Sequence, residues 1–129
     1  MRVPDTLRYS EEHEWVSVAD DLATIGITDY AQDELGDIVF VELPAVGATL
    51  TRAQTLGVVE SVKAVSDVYA PLGGSVVEVN GGLATNPEII NQDPYGEGWM
   101  VRLRLSDRGE LDRLMSAEQY RAFVGKEKA

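Results

Sequence analysis

Residues 57–69 read Gly-Val-Val-Glu-Ser-Val-Lys-Ala-Val-Ser-Asp-Val-Tyr, and this stretch is the most informative in the chain. Two valine-rich runs flank Lys63 and Ala64 with nothing else between them, so the pattern predicts two strands of a hairpin with these two residues at its tip. Two-residue hairpin loops prefer Asn-Gly, Asp-Gly or Gly-X, because these residues tolerate a positive φ. Lys-Ala departs from that preference, and departures from local rules tend to mark functional sites.

Lysine is rare in this chain. It occurs only at Lys63, Lys126 and Lys128, and the last two lie close to the C-terminus. An exposed lysine amine is protonated at neutral pH and is a poor base or nucleophile unaided. A long side chain on a rigid hairpin is, however, well suited to carrying a covalently attached cofactor. The alternative interpretation is an ordinary solvated lysine.

The composition excludes several classes of function. Residues 9–101 contain 16 acidic side chains and only two basic ones, within a formal net charge of -11 for the 129 residues. Such a surface repels nucleic-acid phosphates and favours partners with basic docking surfaces. Cysteine is absent and His13 is the only histidine, which excludes thiol nucleophiles and Cys/His zinc sites and leaves no convincing metal site. The apolar runs are far shorter than the ~20 residues that span a bilayer, so no membrane association is expected.

The remaining sequence predicts short strands with helices near both ends of the chain. Thr28 has the character of an N-cap and Gly36 that of a helix end, which predicts a short helix between them. Ser116 and Gln119 have the spacing of a capping box, within a C-terminal helical segment over about 107–125. Together these signals predict one mainly β domain over residues 1–129, with the lysine hairpin at about 56–70.

The segment GVVESVKAVSD resembles the lipoyl-lysine hairpin of the glycine cleavage system H-protein family. The resemblance continues in the family's usual order through the stretches EEHEWV, ATIGITDYAQDELGDIVFVELP, YAP, EVN, NP and NQDPYGEGWM. It implies a barrel-sandwich hybrid of the biotinyl/lipoyl-carrier type, expected to be a monomer. In this fold two small sheets expose the lysine hairpin at one end, with a short helix after the first strands and helices at the C-terminus.

The resemblance also implies a role for individual residues. Lys63 would carry lipoic acid in amide linkage, and Glu60, three residues before it, would help the lipoylating enzyme to recognise its target. Glu14 and Asp67 would lie near the amine of the carried aminomethyl group. The chain departs from some relatives at Glu12, where they have a small polar residue.

In the family's cycle a pyridoxal-phosphate glycine decarboxylase transfers an aminomethyl group from glycine to the lipoyl sulfur. A tetrahydrofolate-dependent aminomethyltransferase then takes the one-carbon unit and releases ammonia, and an FAD-containing dihydrolipoamide dehydrogenase reoxidises the dithiol. The further partner implied is a lipoate ligase or a lipoyl/octanoyl transferase. The carrier itself would be no enzyme and would have no catalytic residue. With no signal or transit peptide evident, the expected location is the bacterial cytoplasm.

Four alternatives follow from the same residues. Lipoyl domains of 2-oxoacid dehydrogenases commonly have aspartate before the lysine and are tethered by flexible linkers, whereas this chain has Val62 there and no such linker is evident. Biotin carriers typically have methionines beside the lysine, and Val62 and Ala64 argue against that class. A lipoyl-relay protein, which donates lipoyl or octanoyl groups to the carriers of 2-oxoacid dehydrogenases, has the same hairpin. An unmodified acidic β interaction protein would carry nothing on Lys63.

Overall fold

The computed structural model describes residues 1–128, whose strands form two antiparallel sheets. In chain order the nine strands are β1 (Arg8–Tyr9), β2 (Glu14–Ala19), β3 (Leu22–Ile27), β4 (Ile38–Glu42), β5 (Thr49–Leu50), β6 (Thr55–Ser61), β7 (Val65–Tyr69), β8 (Gly74–Val79) and β9 (Val101–Leu105). The six-stranded sheet has the order β1-β2-β3-β9-β8-β5, and the three-stranded sheet has the order β4-β6-β7.

Helices connect and cover these sheets. They are α1 (Asp29–Leu35), α2 (Gly82–Thr85), α3 (Ile89–Gln92), a 3₁₀ helix (Arg108–Arg113) and α4 (Ala117–Lys128). The predicted caps are confirmed: Thr28 Oγ accepts a hydrogen bond from Ala31 N–H at 3.2 Å, and the Gly36 N–H donates to the Gln32 carbonyl at 3.0 Å. At the start of α4, Gln119 N–H donates to Ser116 Oγ at 3.2 Å, and Gln119 Oε1 accepts from Ser116 N–H at 2.9 Å.

The two sheets share one apolar core. Val16 and Ile25 from the six-stranded sheet pack in the same cluster as Val41, Val59 and Val68 from the three-stranded sheet. Inward-facing residues alternate with outward-facing ones along the strands, as expected where one face of a sheet is buried. This arrangement confirms the mainly β prediction of two small sheets with a short helix after the first strands.

A second apolar cluster attaches α4 to the strands. Tyr9 and Tyr120 stack with their ring centroids 4.7 Å apart, and Trp15 packs in the same cluster. The Tyr120 hydroxyl lies 2.8 Å from both His13 Nδ1 and Thr28 Oγ, which links α4 to the N-cap of α1. His13 also lies 2.9 Å from Glu127 through Nε2 and Oε2, so both of its ring nitrogens contact α4.

The sequence-based outline needs three corrections. The short helices α2 and α3 were not among the predicted elements, and they form because successive i to i+3 and i to i+4 backbone hydrogen bonds close helical turns there. The C-terminal helical segment extends to Lys128 rather than 125, and its first part is a 3₁₀ helix. The hairpin tip also lies one residue earlier than predicted, as described below. No helix among residues 1–128 is long and apolar enough to cross a membrane.

Candidate functional site

Lys63 lies on the exposed turn between β6 and β7. Ser61 N–H donates to the Ala64 carbonyl at 2.8 Å, so these two residues close the turn. Its two central residues are therefore Val62 and Lys63, whereas the sequence pattern had placed Lys63 and Ala64 at the tip. Neither central residue has a positive φ. The turn therefore does not need the glycine or asparagine that the hairpin rule demands.

Ser61 holds this turn with its side chain. Its buried hydroxyl accepts hydrogen bonds from Ala64 N–H at 3.0 Å and Lys63 N–H at 3.3 Å, and it donates to the Ala64 carbonyl at 3.3 Å. A serine hydroxyl that replaces backbone partners in this way stabilises turns. Sequence reasoning missed Ser61, although a serine immediately before a two-residue turn is a usable signal.

The turn is also fixed by the segment between α1 and β4. The Val62 N–H donates to the Asp37 carbonyl at 3.1 Å. On either side of Asp37, the Asn91 side chain accepts from Ile38 N–H and donates to the Gly36 carbonyl, each at 2.9 Å. A Cβ atom built on Gly36, whose φ is +80°, would lie 3.5 Å from Lys63 Cε. The aliphatic part of the Lys63 side chain therefore lies beside the C-terminal end of α1.

Replacing Ser61 with alanine is expected to loosen the lysine turn. A net contribution of about 1 kcal/mol per hydrogen bond suggests a loss of roughly 1–2 kcal/mol in unfolding free energy, with faster hydrogen exchange at the amides of Lys63 and Ala64. Urea unfolding and amide exchange measure the two effects. Ser61→Thr keeps the oxygen and is the matched control. Unchanged exchange in Ser61→Ala would contradict the role given to the hydroxyl.

The outer face of the three-stranded sheet adjoins Lys63 and includes two of the predicted site residues. Glu60 is paired in register with Phe40 on β4 and Val65 on β7. Asp67 is exposed and pairs with Val58 on β6. Both carboxylates thus lie on strands that emerge directly from the lysine turn.

Glu14 lies in a different position, in the wall of an open cleft of about 370 Å³. The cleft is bordered by Tyr69 at the end of β7 and by the chain before β2, which contributes Ser10 and Glu12. Arg52 and Arg113 also line it. Asp67 does not line the cleft, but it precedes Tyr69 by two residues and so projects from the same face of β7.

The Glu14 carboxylate is buried, with 2% of its surface exposed, yet both of its oxygens are hydrogen-bonded. Oε1 accepts from the Ser10 hydroxyl at 2.5 Å, and Oε2 accepts from the Tyr69 N–H at 3.3 Å. Burial raises the pKa of this carboxyl to about 7, with the nearby charge of Glu12 adding to the increase and the two hydrogen bonds opposing it. At neutral pH the group therefore exchanges readily between neutral and charged forms, and a cation in the cleft would favour the charged form.

The geometry does not suggest a metal site. Within residues 1–128 no group of three or more His, Asp or Glu side chains is placed to hold a metal ion. Instead, a lysine on a hydrogen-bonded turn lies at one end of β7, and the buried Glu14 carboxylate lies at the other. Such an arrangement suits a tethered group that moves between solvent and a protected cleft.

Comparison with known proteins identifies the family. The family model for the glycine cleavage H-protein matches residues 7–127. The chain is 60% identical over 126 residues to the glycine cleavage system H protein of Coprothermobacter proteolyticus, covering 97% of this chain and 99% of that protein. It is 59% identical over 124 residues to that of Brevibacillus brevis, covering 96% and 98%.

Its fold is similar to the crystal structure of a glycine cleavage system H protein from Mycobacterium marinum. The TM-score is 0.86 at 38% sequence identity, covering 98% of this chain and 100% of that one. Sequence and fold thus agree with these proteins over nearly the whole length of the chain. The chain belongs to the glycine cleavage H-protein family, the lipoyl-bearing carriers of the glycine cleavage system.

Proposed function

We propose that lipoic acid is attached to Nζ of Lys63 by an amide bond and that the chain carries the aminomethyl group of glycine on this arm. The observation that carries the proposal is the lysine turn, whose backbone is fixed by Ser61 and Asp37 while the lysine side chain is exposed. Within residues 1–128 no ion pair holds the Lys63 ammonium group. Acylation, which removes that charge, therefore breaks no ion pair of the described residues. Bound lipoic acid supplies a dithiolane at the end of a long flexible arm.

The proposed partners are three enzymes that use the arm in turn. They are the glycine decarboxylase with pyridoxal phosphate, the tetrahydrofolate-dependent aminomethyltransferase and the FAD-containing dihydrolipoamide dehydrogenase. The chain is their shared substrate and contributes no catalytic residue. Its acidic surface suits basic docking sites on such enzymes, because opposite fields speed encounter. The proposed location is the bacterial cytoplasm. This proposal is supported by the bacterial sources of similar proteins, which include Coprothermobacter proteolyticus and Brevibacillus brevis.

Glu60 is proposed to help the enzyme that attaches the lipoyl group, a lipoate ligase or a lipoyl/octanoyl transferase. It lies on β6 immediately before Ser61 and the lysine turn, at the same end of the sheet as Lys63. Its partners across the sheet are apolar, so its carboxylate is the charged group nearest to the turn in that row. A basic side chain of the enzyme could pair with it there.

Glu14 and Asp67 are proposed to hold the cationic amine of the carried aminomethyl group. A lipoyl-lysine arm has about a dozen bonds from Cα to sulfur and spans roughly 14 Å when extended, since an extended chain advances ~1.2 Å per bond. Along the chain from Lys63, Asp67 is about 13 Å away and Tyr69 about 20 Å away at ~3.3 Å per residue. The arm therefore reaches Asp67 when extended, and the carried amine, two bonds beyond the sulfur, extends towards Glu14 at the end of β7.

One reconstitution tests the proposal. The unmodified chain is incubated with lipoate, ATP and a bacterial lipoate–protein ligase, and its intact mass and peptides are measured. The lipoylated chain is then offered to a glycine decarboxylase with glycine. We expect one lipoyl increment on Lys63, followed by glycine-dependent release of carbon dioxide and loading of the arm.

The alternatives give other results in the same experiment. A lipoyl-relay protein would be lipoylated on Lys63 but would fail to accept the aminomethyl group while donating its lipoyl group to a second carrier. An unmodified interaction protein would show no mass increase. Either result would overturn the proposed function.

A further inference from the structure

We infer that the outer face of the three-stranded sheet is the surface on which the enzyme that acylates Lys63 docks, and that this enzyme presents an apolar recess ringed by lysine or arginine side chains. The inference rests on the proposed function, because it takes Lys63 to be the lipoylated residue. It extends recognition from Glu60 to a patch on all three strands. We call this patch the hairpin face, and it consists of Phe40, Glu42, Val58, Glu60, Val65 and Asp67.

The strand register places these six side chains in two rows. The row nearer to the lysine turn is Phe40, Glu60 and Val65, and the next row is Glu42, Val58 and Asp67. Apolar and acidic residues therefore alternate both along and across the sheet. A β-bulge at Val39, between the register positions of Ile38 and Phe40, shifts the alternation of side chains along β4. Phe40 therefore lies on the outer face of the sheet, in the row with Glu60.

The apolar members of the hairpin face are unusually exposed. Phe40 is 52% exposed and Val65 is 66% exposed, although both are large β-forming residues on a sheet with a well-filled core. Val62, at the tip of the turn, is 70% exposed and extends the same apolar surface to Lys63. A cluster of exposed apolar residues with a polar rim marks an interaction surface more often than a solvated one.

The charges define the chemistry of the partner. The segments 37–43 and 55–69 contain the acidic residues Asp37, Glu42, Glu60 and Asp67, and Lys63 is their only basic residue. Once Lys63 is acylated, the face has negative charges only. A complementary surface must therefore combine an apolar recess for Phe40 and Val65 with basic side chains around it.

The acylating enzyme fits this face because of where it must work. Its reaction takes place at Nζ, only four methylene groups from Cα of Lys63. Its active site must therefore come close to the turn and contact the sheet surface beside it. The enzymes that use the finished arm act at the dithiolane, which lies beyond the whole length of the lipoyl chain, so they have no such obligatory contact with Phe40 or Val65.

Initial-rate kinetics of Lys63 lipoylation test the inference, with the unmodified chain as varied substrate and a bacterial lipoate–protein ligase, lipoate and ATP in excess. We expect the double variant Phe40→Ala/Val65→Thr to raise KM at least tenfold with little change in kcat. The double variant Glu42→Gln/Asp67→Asn is expected to raise KM several-fold and to flatten its dependence on salt. Val46→Ala and Val77→Thr, which alter exposed valines outside the hairpin face, are the matched controls and should leave KM unchanged.

Two further measurements separate docking from folding or lysine reactivity. Urea unfolding shows whether each variant is folded, and the rate of Lys63 acetylation by a small N-hydroxysuccinimide ester shows whether the amine is equally reactive. An unchanged KM in both double variants, with normal lipoylation of the parent chain, would overturn the inference and leave the proposed function intact. A parent chain that accepts no lipoyl group would overturn the proposed function itself.

Discussion

Replacing Lys63 with arginine is expected to abolish lipoylation of the chain and, with it, all glycine-dependent loading. Arginine keeps the positive charge and most of the stem, but its guanidinium remains protonated and does not form the amide bond. The turn should persist, because its bonds come from the backbone and from Ser61 rather than from the lysine side chain. The expected change is therefore a loss of function down to the background rate without a loss of stability.

Intact mass, glycine-dependent carbon dioxide release with the decarboxylase, and urea unfolding give the three readouts for Lys63→Arg. Lys126→Arg is the matched control, since it makes the same exchange on the exposed surface of α4. It should be lipoylated and loaded like the parent chain. A lipoyl increment that survives in Lys63→Arg would place the attachment on another lysine and contradict the assignment of the site.

Local signals in the sequence predicted the secondary structure well where they were strong. The capping residues Thr28 and Ser116 act through neighbours three residues away, so the pattern alone indicates their hydrogen bonds. The valine-rich runs around Lys63 likewise predicted β6 and β7 to within a residue at each end. The helices α2 and α3 were missed because each is a single turn of four residues, too short for a periodic pattern to appear.

The position of the hairpin tip shows why the lysine turn was harder to predict. The prediction took the two residues between the valine-rich runs as the tip. In the structure, hydrogen bonds to the Ser61 side chain and the Asp37 carbonyl fix the turn. The Asp37 carbonyl lies immediately before β4, and tertiary packing brings it to the turn. A rule based on the intrinsic φ preferences of two residues contains neither contribution.

The Glu14 cleft depends still more on the fold. Glu14 and Tyr69 are 55 residues apart, and the hydrogen bond between them forms only because the start of β2 meets the end of β7. The family resemblance pointed to Glu14 as a residue near the carried amine. Its burial and the raised pKa of its carboxyl follow from packing and had no signal in the sequence.

Replacing Glu14 with glutamine is expected to stabilise the unloaded chain at pH 8. Because the pKa of the Glu14 carboxyl is about 7 in the folded chain and near 4.5 when unfolded, the folded state binds a proton more tightly between these pH values. The free energy of unfolding therefore falls as the pH rises through this range. At about 1.4 kcal/mol per pKa unit, the charged form costs roughly 3 kcal/mol above pH 7. Glutamine is neutral, and its amide can keep the contacts with Ser10 and the Tyr69 N–H.

Urea unfolding at pH 5, 6, 7 and 8 measures this effect. The parent chain should lose about 2–3 kcal/mol relative to Glu14→Gln between pH 5 and pH 8, whereas the two should be close to equal at pH 5. Asp67→Asn, which removes an exposed carboxylate two residues before Tyr69, is the matched control and should follow the pH dependence of the parent. Equal stabilities of Glu14→Gln and the parent at pH 8 would show that the buried carboxylate carries no such penalty.

The same substitution should have the opposite effect on the loaded chain. A charged Glu14 that destabilises the empty cleft becomes favourable once a cationic amine lies beside it, because the buried charge then has a partner. We therefore expect the aminomethyl-loaded arm of Glu14→Gln to lose its cargo several-fold faster than the parent at pH 8. The difference should shrink as the pH falls below 7 and the parent carboxyl becomes protonated. Mass spectrometry of the isolated loaded chain over time measures the lifetime, and a Glu14→Gln lifetime equal to that of the parent at pH 8 would exclude Glu14 as the group that holds the amine.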